Sequence, residues 1–278
     1  MDVSAVQIMG IVNRTPDSFF SGSRVPPDGN DVQPALLMAA EGADILDVGG
    51  ESSRPGSAYV SADEEIRRVV PFIRELRKHT SVLISVDTRK AKVAQAALAA
   101  GANIINDISA LCDDNELAGV VAAADVPVVL MHMAGTPATM QNNPRYSDVV
   151  GEVEGFLMSA VDRALRAGIA RRNIIVDPGI GFGKTWQHNI ALIQAIPRLK
   201  THGYPVLLGL SRKSLIGVLA GTPESPLPVD ERLVGSAVAN LMGACLGADI
   251  LRVHDVAASR QALSVFTALW PKAQGDMV

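Results

Sequence analysis

Eight short runs rich in valine, isoleucine and leucine recur along the chain and constrain its fold more than any other feature. They are "IMGIVN", "ADILDVGG", "VLISVDT", "NIINDIS", "PVVLMHM", "NIIVDPG", "PVLLGLS" and "DILRVHD". Longer stretches with helical spacing of apolar residues lie between them, at 61–78, 90–100, 148–168, 187–200 and 231–246. Strands that alternate with helices pair in parallel through right-handed crossovers. Because eight such units close a barrel, the sequence predicts an α/β fold of the (β/α)8 TIM-barrel class.

The length and composition of the chain favour a single domain over residues 1–278, with a barrel core from about residue 6 to about residue 270. There is no Pro/Ser-rich linker and no break in composition. Aromatic residues make up only 4% of the chain and hydrophobic residues 48%, which suits strands buried on both faces. The competing architecture is an open doubly wound sheet. It would more often carry a GxGxxG motif after its first strand, and "MGIVNRTPDS" has none.

Charge and cysteine content limit the classes of partner. A net charge of -4 argues against a nucleic-acid or anionic-membrane surface. The two cysteines, Cys112 and Cys245, form no CxxC pair, which indicates reduced thiols. The N-terminal "MDVSAVQIMG" lacks the basic region of a signal peptide, and the apolar runs are too short to span a bilayer. We therefore expect a soluble cytoplasmic protein that acts on small molecules, with neither nucleic acid nor membrane as a partner.

The glycine-rich stretch "DPGIGFGKT" at 177–185 looks at first like a nucleotide-binding phosphate loop. The full pattern requires a glycine five residues before the glycine of Gly-Lys-Thr. That position is Pro178, so the pattern fails. The sequence does not predict a nucleotide-hydrolysing site here.

Nearly every predicted strand ends in a polar or charged residue. The strand ends read Asn13, "GGESSRP", Asp87, Asn106 with Asp107, His132, Asp177, "SRKS" and "RVHD". A single such residue is usually a helix cap or a turn residue. Barrels form their active sites at the C-terminal ends of the strands, so the whole set together predicts a site.

The acidic and amide groups of this set allow three interpretations. Asp87 and Asp177, with Asn106, could bind a flat heterocycle that presents N–H donors, because a carboxylate accepts two hydrogen bonds side by side. The two acids could equally form a general acid–base pair or ligate a metal. The residues alone do not choose among these.

The basic groups cluster after the last two strands. Lys213 follows strand seven, while Arg252 and His254 close strand eight, in the loops where barrels most often hold phosphate. An arginine can bind an oxyanion bidentately and a histidine can add a donor, which points to a phosphate ester or diphosphate. The alternative is an internal salt-bridge network at the rim that includes Asp255.

Three long loops follow the strands. The stretches at 14–24 and 49–59 are predicted to be mobile covers over the site, although plain connections remain an alternative. The third loop, "HMAGTPATMQNNPRY" at 132–146, has no assigned chemical role.

Taken in order, these motifs resemble the dihydropteroate synthases, the folate-pathway enzymes that sulfonamides inhibit. The motifs are "NRTPDSF", "DVGGESSRPG", "SVDTRK", "INDISA", "MHMAGTPATMQ", "DPGIGFGKT" followed by "HN", "GLSRKS" followed by "IG", and "RVHDV". They run from residue 8 to residue 256. The resemblance implies a homodimer that joins 6-hydroxymethyl-7,8-dihydropterin diphosphate to 4-aminobenzoate by an SN1-like route and releases pyrophosphate.

The resemblance also implies a role for individual residues. The pterin would be held by Asp87, Asn106, Asp177 and Lys213. The diphosphate would be held by Asn13, Ser53, Arg54, Arg252 and His254, with Mg2+ as cofactor on Asn13. The aminobenzoate would lie among Phe19, Pro55, Phe182 and Ser211. The catalytic contributions would come from Arg252, His254, Lys213 and Asp87.

The first loop departs from the family pattern at two positions. Arg14 stands where the family commonly has an aliphatic residue, and Ser21 stands where it commonly has a second acid. If that acid orders the loop, turnover would be slower in this chain. Two rival functions are a pterin-dependent methyltransferase, which has no diphosphate to expel, and a non-catalytic pterin-binding paralogue. The intact Lys213, Arg252 and His254 argue against the paralogue.

Overall fold

All eight predicted strands are present and belong to one parallel sheet in the computed structural model, which describes residues 3–15 and 31–270. The strands are β1 (Gln7–Asn13), β2 (Ile45–Gly49), β3 (Leu83–Asp87), β4 (Ile104–Asp107), β5 (Val128–Met131), β6 (Ile174–Asp177), β7 (Leu207–Leu208) and β8 (Ile250–Val253). Their order in the sheet is β6-β5-β4-β3-β2-β1-β8-β7. A parallel bridge between Val176 and Val206 joins β6 to the residue before β7, so the sheet nearly closes on itself. The TIM-barrel prediction is confirmed.

Helices follow the strands along the described ranges. They are α1 (Gln33–Ala40), α2 (Ala62–Arg77), α3 (Ala91–Ala100), α4 (Leu117–Ala124), α5 (Val149–Arg166), α6 (Trp186–Gln194), α7 (Ile196–Lys200), α8 (Ser214–Ala220), α9 (Leu233–Cys245) and α10 (Val256–Leu269). The predicted helix at 187–200 is two helices, because Pro197 has no N–H to continue the first one. Among these described helices, none combines the length and apolar character that a bilayer crossing requires.

The interior of the barrel is filled by one layer of apolar side chains drawn from seven strands. The layer consists of Met9, Ile45, Ile104, Val129, Ile175, Leu207 and Ile250. A larger apolar cluster lies between the outer faces of the strands and the helices, with Phe72 and Leu76 of α2 fully buried in it. Both faces of the strands are therefore buried, as the aliphatic composition predicts.

Strand periodicity carries polar residues into the barrel just above this apolar layer. Side chains on a strand alternate between its two faces, so a residue two positions after an inward-facing one also points inward. Two positions after Ile45, Ile104, Ile175 and Ile250 stand Asp47, Asn106, Asp177 and Arg252. The barrel therefore carries a polar layer toward the C-terminal ends of its strands.

Candidate active site

An open cleft of about 450 Å³ lies over the C-terminal ends of the strands. Most of the predicted site residues line it, namely Asn13, Ser53, Arg54, Pro55, Asp87, Phe182, Ser211, Lys213, Arg252 and His254. Asn106 and Asp177 are buried within the barrel, with exposures of only 3% and 6%. Phe19 lies outside the described residues. The structure thus brings together residues that are far apart in sequence, at the rim that the strand ends predict.

Arg252 of β8 connects three strands at the floor of the cleft. Its Nε donates to Oδ2 of Asp47 at 2.7 Å, and its Nη2 donates to Oδ2 of Asp87 at 2.9 Å. Arg252 is thus part of an internal salt-bridge network, as the alternative interpretation held, but its partners differ from the expected one, because Asp255 pairs with Arg212 instead. Arg252 also lines the cleft, and the two bonds to the carboxylates use its Nε and Nη2 atoms.

Asp47 of β2 belongs to the polar layer of the site, but the search for polar residues at the strand ends did not identify it. Its side chain is fully buried, and its Oδ2 accepts from Nδ2 of Asn106 at 3.0 Å as well as from Arg252. Within the described residues, its other oxygen has no hydrogen-bond partner. Asp47 lies two residues inside its strand rather than at the strand end, so only the period-two alternation after Ile45 could have identified it.

The carboxyl group of Asp87 is buried between an opposite and a like charge. Burial raises the pKa of Asp87 to about 7, the charge of Arg252 opposes the shift, and the nearby Asp47 adds to it. This carboxyl group therefore changes its protonation state close to neutral pH.

Lys213 and Asp177 face each other on the opposite side of the cleft. Burial lowers the pKa of Lys213 to about 8, although the charge of Asp177 opposes the shift. The Nζ atom donates to the backbone carbonyl of Ile180 and lies 4.7 Å from the ring centre of Phe182. Lys213 thereby bonds to the loop after β6 and lies near enough to Asp177 for that charge to act on its pKa.

The stretch 177–185 forms a tight loop whose glycines are required by its backbone. Gly179, Gly181 and Gly183 all have positive φ, a conformation that side chains with a Cβ rarely adopt. A Cβ on Gly179 would lie 1.9 Å from the carbonyl oxygen of His132. The loop therefore packs directly against the backbone after β5, with Asp177 at its start and Phe182 on the cleft.

Lys184, the lysine of the Gly-Lys-Thr triplet, points into the protein. Its Nζ lies 2.8 Å from Nδ1 of His132 and donates to the carbonyls of Gly179 at 2.9 Å and Phe182 at 3.0 Å. Burial lowers the pKa of Lys184 to about 7. A phosphate-loop lysine reaches toward the phosphates of its ligand, whereas this one binds the carbonyls of its own loop. The geometry agrees with the failed sequence pattern.

His254 and Ser211 meet at the end of β8. Oγ of Ser211 accepts from the backbone N–H of His254 at 3.2 Å and lies 3.1 Å from its Nδ1. Burial lowers the pKa of His254 to about 4, and the charge of Arg252 adds to the shift. The imidazole is neutral at pH 7, so it can act as a hydrogen-bond donor but carries no charge.

Of the two first-loop departures, only Arg14 falls in the described residues. Its side chain is 1% exposed and does not line the cleft. Its guanidinium lies 4.7 Å from the ring centre of Phe72, and its Nε lies 3.4 Å from the carbonyl oxygen of Arg68, both on α2. Arg14 thus packs on the second helix. Ser21 lies outside the described residues.

Comparison with known proteins gives consistent matches over the whole barrel. Residues 9–254 match the family model described as "Pterin binding enzyme". The chain is 48% identical over 271 residues to the dihydropteroate synthase of Neisseria meningitidis serogroup B, which covers 95% of this chain and 92% of that protein.

Two solved structures from Xanthomonas albilineans also match. A dihydropteroate synthase with 4-aminobenzoic acid has a TM-score of 0.88 and 46% identity, covering 98% of this chain and 95% of its own. A complex with 7,8-dihydropteroate has a TM-score of 0.85 and 44% identity, covering 98% and 97%.

Proposed function

The chain belongs to the pterin-binding enzymes and, within them, to the dihydropteroate synthases, which are transferases, and from this premise we propose its reaction. It condenses 6-hydroxymethyl-7,8-dihydropterin diphosphate with 4-aminobenzoate to give 7,8-dihydropteroate and pyrophosphate. The observation that carries the proposal is that a buried polar layer opens into a cleft with anion-binding groups. Asn106 and Asp177 are buried in the barrel, Arg54 and His254 line the cleft above them, and Arg252 lines the cleft while bonded to Asp47 and Asp87.

The pterin fits the polar layer of the barrel. Asp87 and Asp177 provide carboxylate oxygens that accept the N–H groups of an amino-pyrimidinone edge, and Asn106 can both donate and accept. Because Asp47 fixes the Asn106 amide nitrogen at 3.0 Å, the carbonyl oxygen of Asn106 is oriented away from Asp47. Of the three interpretations that the residues left open, this layer favours the heterocycle-binding one.

The diphosphate fits the cationic side of the cleft. Arg252 and Arg54 supply positive charge, and the neutral His254 supplies a donor. In the described ranges, no group of three or more His, Cys, Asp or Glu side chains could hold a metal. Mg2+ commonly takes waters and substrate phosphates as its main ligands, so the single amide oxygen of Asn13 fits as its protein contact. Bound there, Mg2+ would neutralise charge on the leaving group.

We propose a dissociative mechanism. The bond between the pterin methylene carbon and the diphosphate oxygen breaks, and the electron pair leaves with pyrophosphate. Asp87 and Asp177 favour the resulting cationic pterin, while Arg252 and His254 stabilise the developing negative charge. The neutral amine of aminobenzoate then attacks the methylene carbon and loses a proton. Phe182, Pro55 and Ser211 line the cleft where the amine would enter.

The direct test is an assay of pyrophosphate release from the dihydropterin diphosphate and Mg2+, with and without 4-aminobenzoate. We expect release coupled to dihydropteroate formation only when aminobenzoate is present. Release without a coupled product would refute the synthase assignment in favour of a hydrolytic side reaction. Pterin binding without any release would support the non-catalytic paralogue instead. Methyl transfer from a methylated pterin would support the methyltransferase.

Pterin affinity is expected to depend on pH through Asp87. Only the carboxylate form of Asp87 accepts two hydrogen bonds, and with a pKa of about 7 that form rises from about a tenth of the molecules at pH 6 to about nine-tenths at pH 8. The dissociation constant of 6-hydroxymethylpterin, measured by calorimetry at pH 6, 7 and 8, should therefore fall about tenfold. Above pH 8 the neutralisation of Lys213 should weaken binding again. The Asp87→Asn variant should show no improvement from pH 6 to 8, and a flat profile in the unaltered protein would contradict the role of Asp87.

The same pKa shift has a predictable effect on folding. The raised pKa means that the folded state binds this proton more tightly than the unfolded chain. Asp87 therefore contributes stability that is fully present below about pH 4 and is lost as the pH rises through about 7. Pterin binding requires the ionised form of Asp87, whereas the protonated form is the one that stabilises the folded state.

We propose that the protein is a homodimer and that α9 contributes to the interface. The small residues of this helix face the barrel, whereas Val234, Val238 and Met242 form one stripe with exposures of 74%, 64% and 54%. Val238→Arg should convert a dimer to a monomer, as measured by size-exclusion chromatography with light scattering. The control is Leu165→Arg on α5, which should leave the mass unchanged. A monomeric unaltered protein would refute the proposal.

A cytoplasmic location stays a prediction from sequence.

A further inference from the structure

The second loop, residues 50–61 between β2 and α2, is held at both of its ends by one carboxylate. Oε1 of Glu51, at the start of the loop, accepts from the backbone N–H of Val60 at 3.2 Å. The same oxygen accepts from Nη2 of Arg89 at 2.8 Å, and Oε2 accepts from Nζ of Lys90 at 2.5 Å. Glu51 therefore closes the loop upon itself and ties it to the segment that follows β3.

The two cations that hold Glu51 are themselves fixed. Arg89 and Lys90 are 5% and 4% exposed and follow Asp87 of the pterin layer by two and three positions. Nζ of Lys90 also lies 2.6 Å from Oε2 of Glu65, a fully buried residue of α2. Nη1 of Arg89 lies 3.4 Å from Oδ2 of Asp113, so each cation has a second acidic partner besides Glu51. Loss of one charge from a buried ionic set is nevertheless destabilising. We call these residues the Glu51 clamp: Glu51, Glu65, Arg89 and Lys90.

An aromatic side chain covers the clamp on its outer side. The ring centre of Tyr59 lies 4.3 Å from Nζ of Lys90 and 5.0 Å from Cζ of Arg89. Tyr59 is itself 62% exposed. Tyr59 is next to Val60, so the end of the loop nearest α2 is held at two points. The backbone N–H of Val60 bonds to Glu51, and the ring of Tyr59 packs against Lys90 and Arg89.

The tip of the loop lies between the clamped ends and lines the cleft. It includes Ser53, Arg54 and Pro55, which lie beside the proposed diphosphate and aminobenzoate positions. Arg54 is close enough to His254 for its charge to lower the pKa of that histidine. Across the cleft, the described contact of the loop backbone is the N–H of Gly56 donating to the carbonyl of Pro137 at 2.9 Å. The tip is also braced within itself, because Oγ of Ser57 donates to the carbonyl of Ser52 at 2.6 Å and the N–H of Ser57 donates to the carbonyl of Arg54 at 3.1 Å. It therefore keeps its own shape, and the clamp fixes the two ends that carry it.

We propose that Glu51 is a positioning residue that sets where Ser53 and Arg54 stand over the site, and this rests on the proposed function. Glu51 accepts its hydrogen bonds from Arg89, Lys90 and Val60, and its effect is transmitted through the two ends of the loop. Without the clamp, the loop would have to become ordered in every catalytic cycle, and Arg54 would be displaced from the diphosphate leaving group. A misplacement of about 1 Å in a positioned group can cost about 100-fold in rate. The pterin layer is built on strands, and the clamp acts on it through charge, because Glu51 and Glu65 both help to raise the pKa of Asp87.

The experiment compares Glu51→Gln with Asp63→Asn in the full-length protein. Asp63, in the first turn of α2, makes an exposed ion pair with Lys92 and is the matched control, since this pair also joins the region of the second loop to the segment that follows β3. At pH 8, where Asp87 is mostly ionised in both proteins, we expect kcat/KM for aminobenzoate to fall about 100-fold in Glu51→Gln, while the dissociation constant of 6-hydroxymethylpterin changes less than about twofold. Glu51→Asp, which keeps the charge, should recover part of the loss. Asp63→Asn should match the unaltered protein in both measurements.

Hydrogen exchange provides a readout that needs no catalysis. Amides of residues 52–60 should exchange about tenfold faster in Glu51→Gln, with β3 and β4 unchanged. Tyr59→Leu, which removes the ring but leaves no buried charge, should accelerate the same amides to a smaller extent even if Glu51→Gln fails to fold. Unchanged exchange in 52–60, or equal losses of pterin affinity and of kcat/KM, would overturn the proposal. If the unaltered protein lacks synthase activity, the proposed function fails, and the exchange result still decides whether the clamp exists.

Discussion

Arg252→Ala is expected to make the protein easier to unfold and to slow its turnover by two to three orders of magnitude, on the scale of about 100- to 1,000-fold. Arg252 is the cation that separates the buried carboxylates of Asp47 and Asp87. Removal of one partner from a buried ionic set costs about 3–5 kcal/mol, because the remaining charges are left uncompensated. The free energy of unfolding should fall by that amount in urea titrations at pH 7.5. The rate should fall by about 100- to 1,000-fold where the protein remains folded, since a donor to the leaving group is lost.

The control for this substitution is Arg172→Ala. Arg172 forms an ion pair with Asp125, but both side chains are largely exposed, so the loss should stay below about 1 kcal/mol. Arg252→Lys should be intermediate, because one ammonium group cannot reproduce the two directions of the guanidinium. An Arg252→Ala protein as stable as Arg172→Ala would show that the three-strand connection does not carry this energy.

Gly179→Ala should be the most damaging replacement of a single hydrogen by a methyl group in the glycine-rich loop. The added Cβ would lie 1.9 Å from the carbonyl oxygen of His132, and φ is +66°. The positive φ alone costs about 1–3 kcal/mol for a residue with a Cβ, and overpacking adds about 1–3 kcal/mol. We expect a loss of about 2–6 kcal/mol in the free energy of unfolding, measured by urea titration. Pterin affinity should also fall, because the displaced loop begins at Asp177.

Gly155→Ala is the matched control. Gly155 lies within α5, and an added Cβ there meets no atom within 4 Å among the described residues. Alanine in a helix interior is favoured over glycine, so this variant should be more stable by about 0.5–1 kcal/mol. If both variants lose stability equally, the loop is not as closely packed against β5 as the structure indicates.

The architecture and most of the site could be predicted because both follow from short-range patterns. Eight aliphatic runs are enough to indicate a barrel, and the residue that ends each run falls at its C-terminal rim. Asp87, Asn106 and Asp177 were found in this way. The period-two pattern also predicts that the side chain of Asp47 faces into the barrel. Asp47 lies in the middle of its strand, however, so an analysis of strand ends alone does not identify it.

The remaining features depend on pairings that no local pattern contains. The partner of Arg252 on β2 is 205 positions away along the chain. The inward direction of Lys184 could not be read from its triplet, because it depends on the carbonyls that the loop turns toward it. In the sequence, Arg14 belongs to the first loop and departs there from the family pattern. In the structure, its side chain packs on α2. The single-domain extent over 1–278 and the role of Phe19 stay predictions.

The polar layer above the barrel interior has a consequence for mutational escape from inhibitors. Asp47, Asn106, Arg252 and Asp87 are joined in one chain of hydrogen bonds across four strands. A change in any one of them that excluded a compound from the slot would also leave a neighbour without its partner, at a cost to folding. Among the residues that the structure describes, the side chains of Pro55 and Phe182 make no hydrogen bond to this chain, so we expect single changes there to cost less stability. Resistance to a compound that makes its contacts with these strand residues would therefore require several simultaneous substitutions.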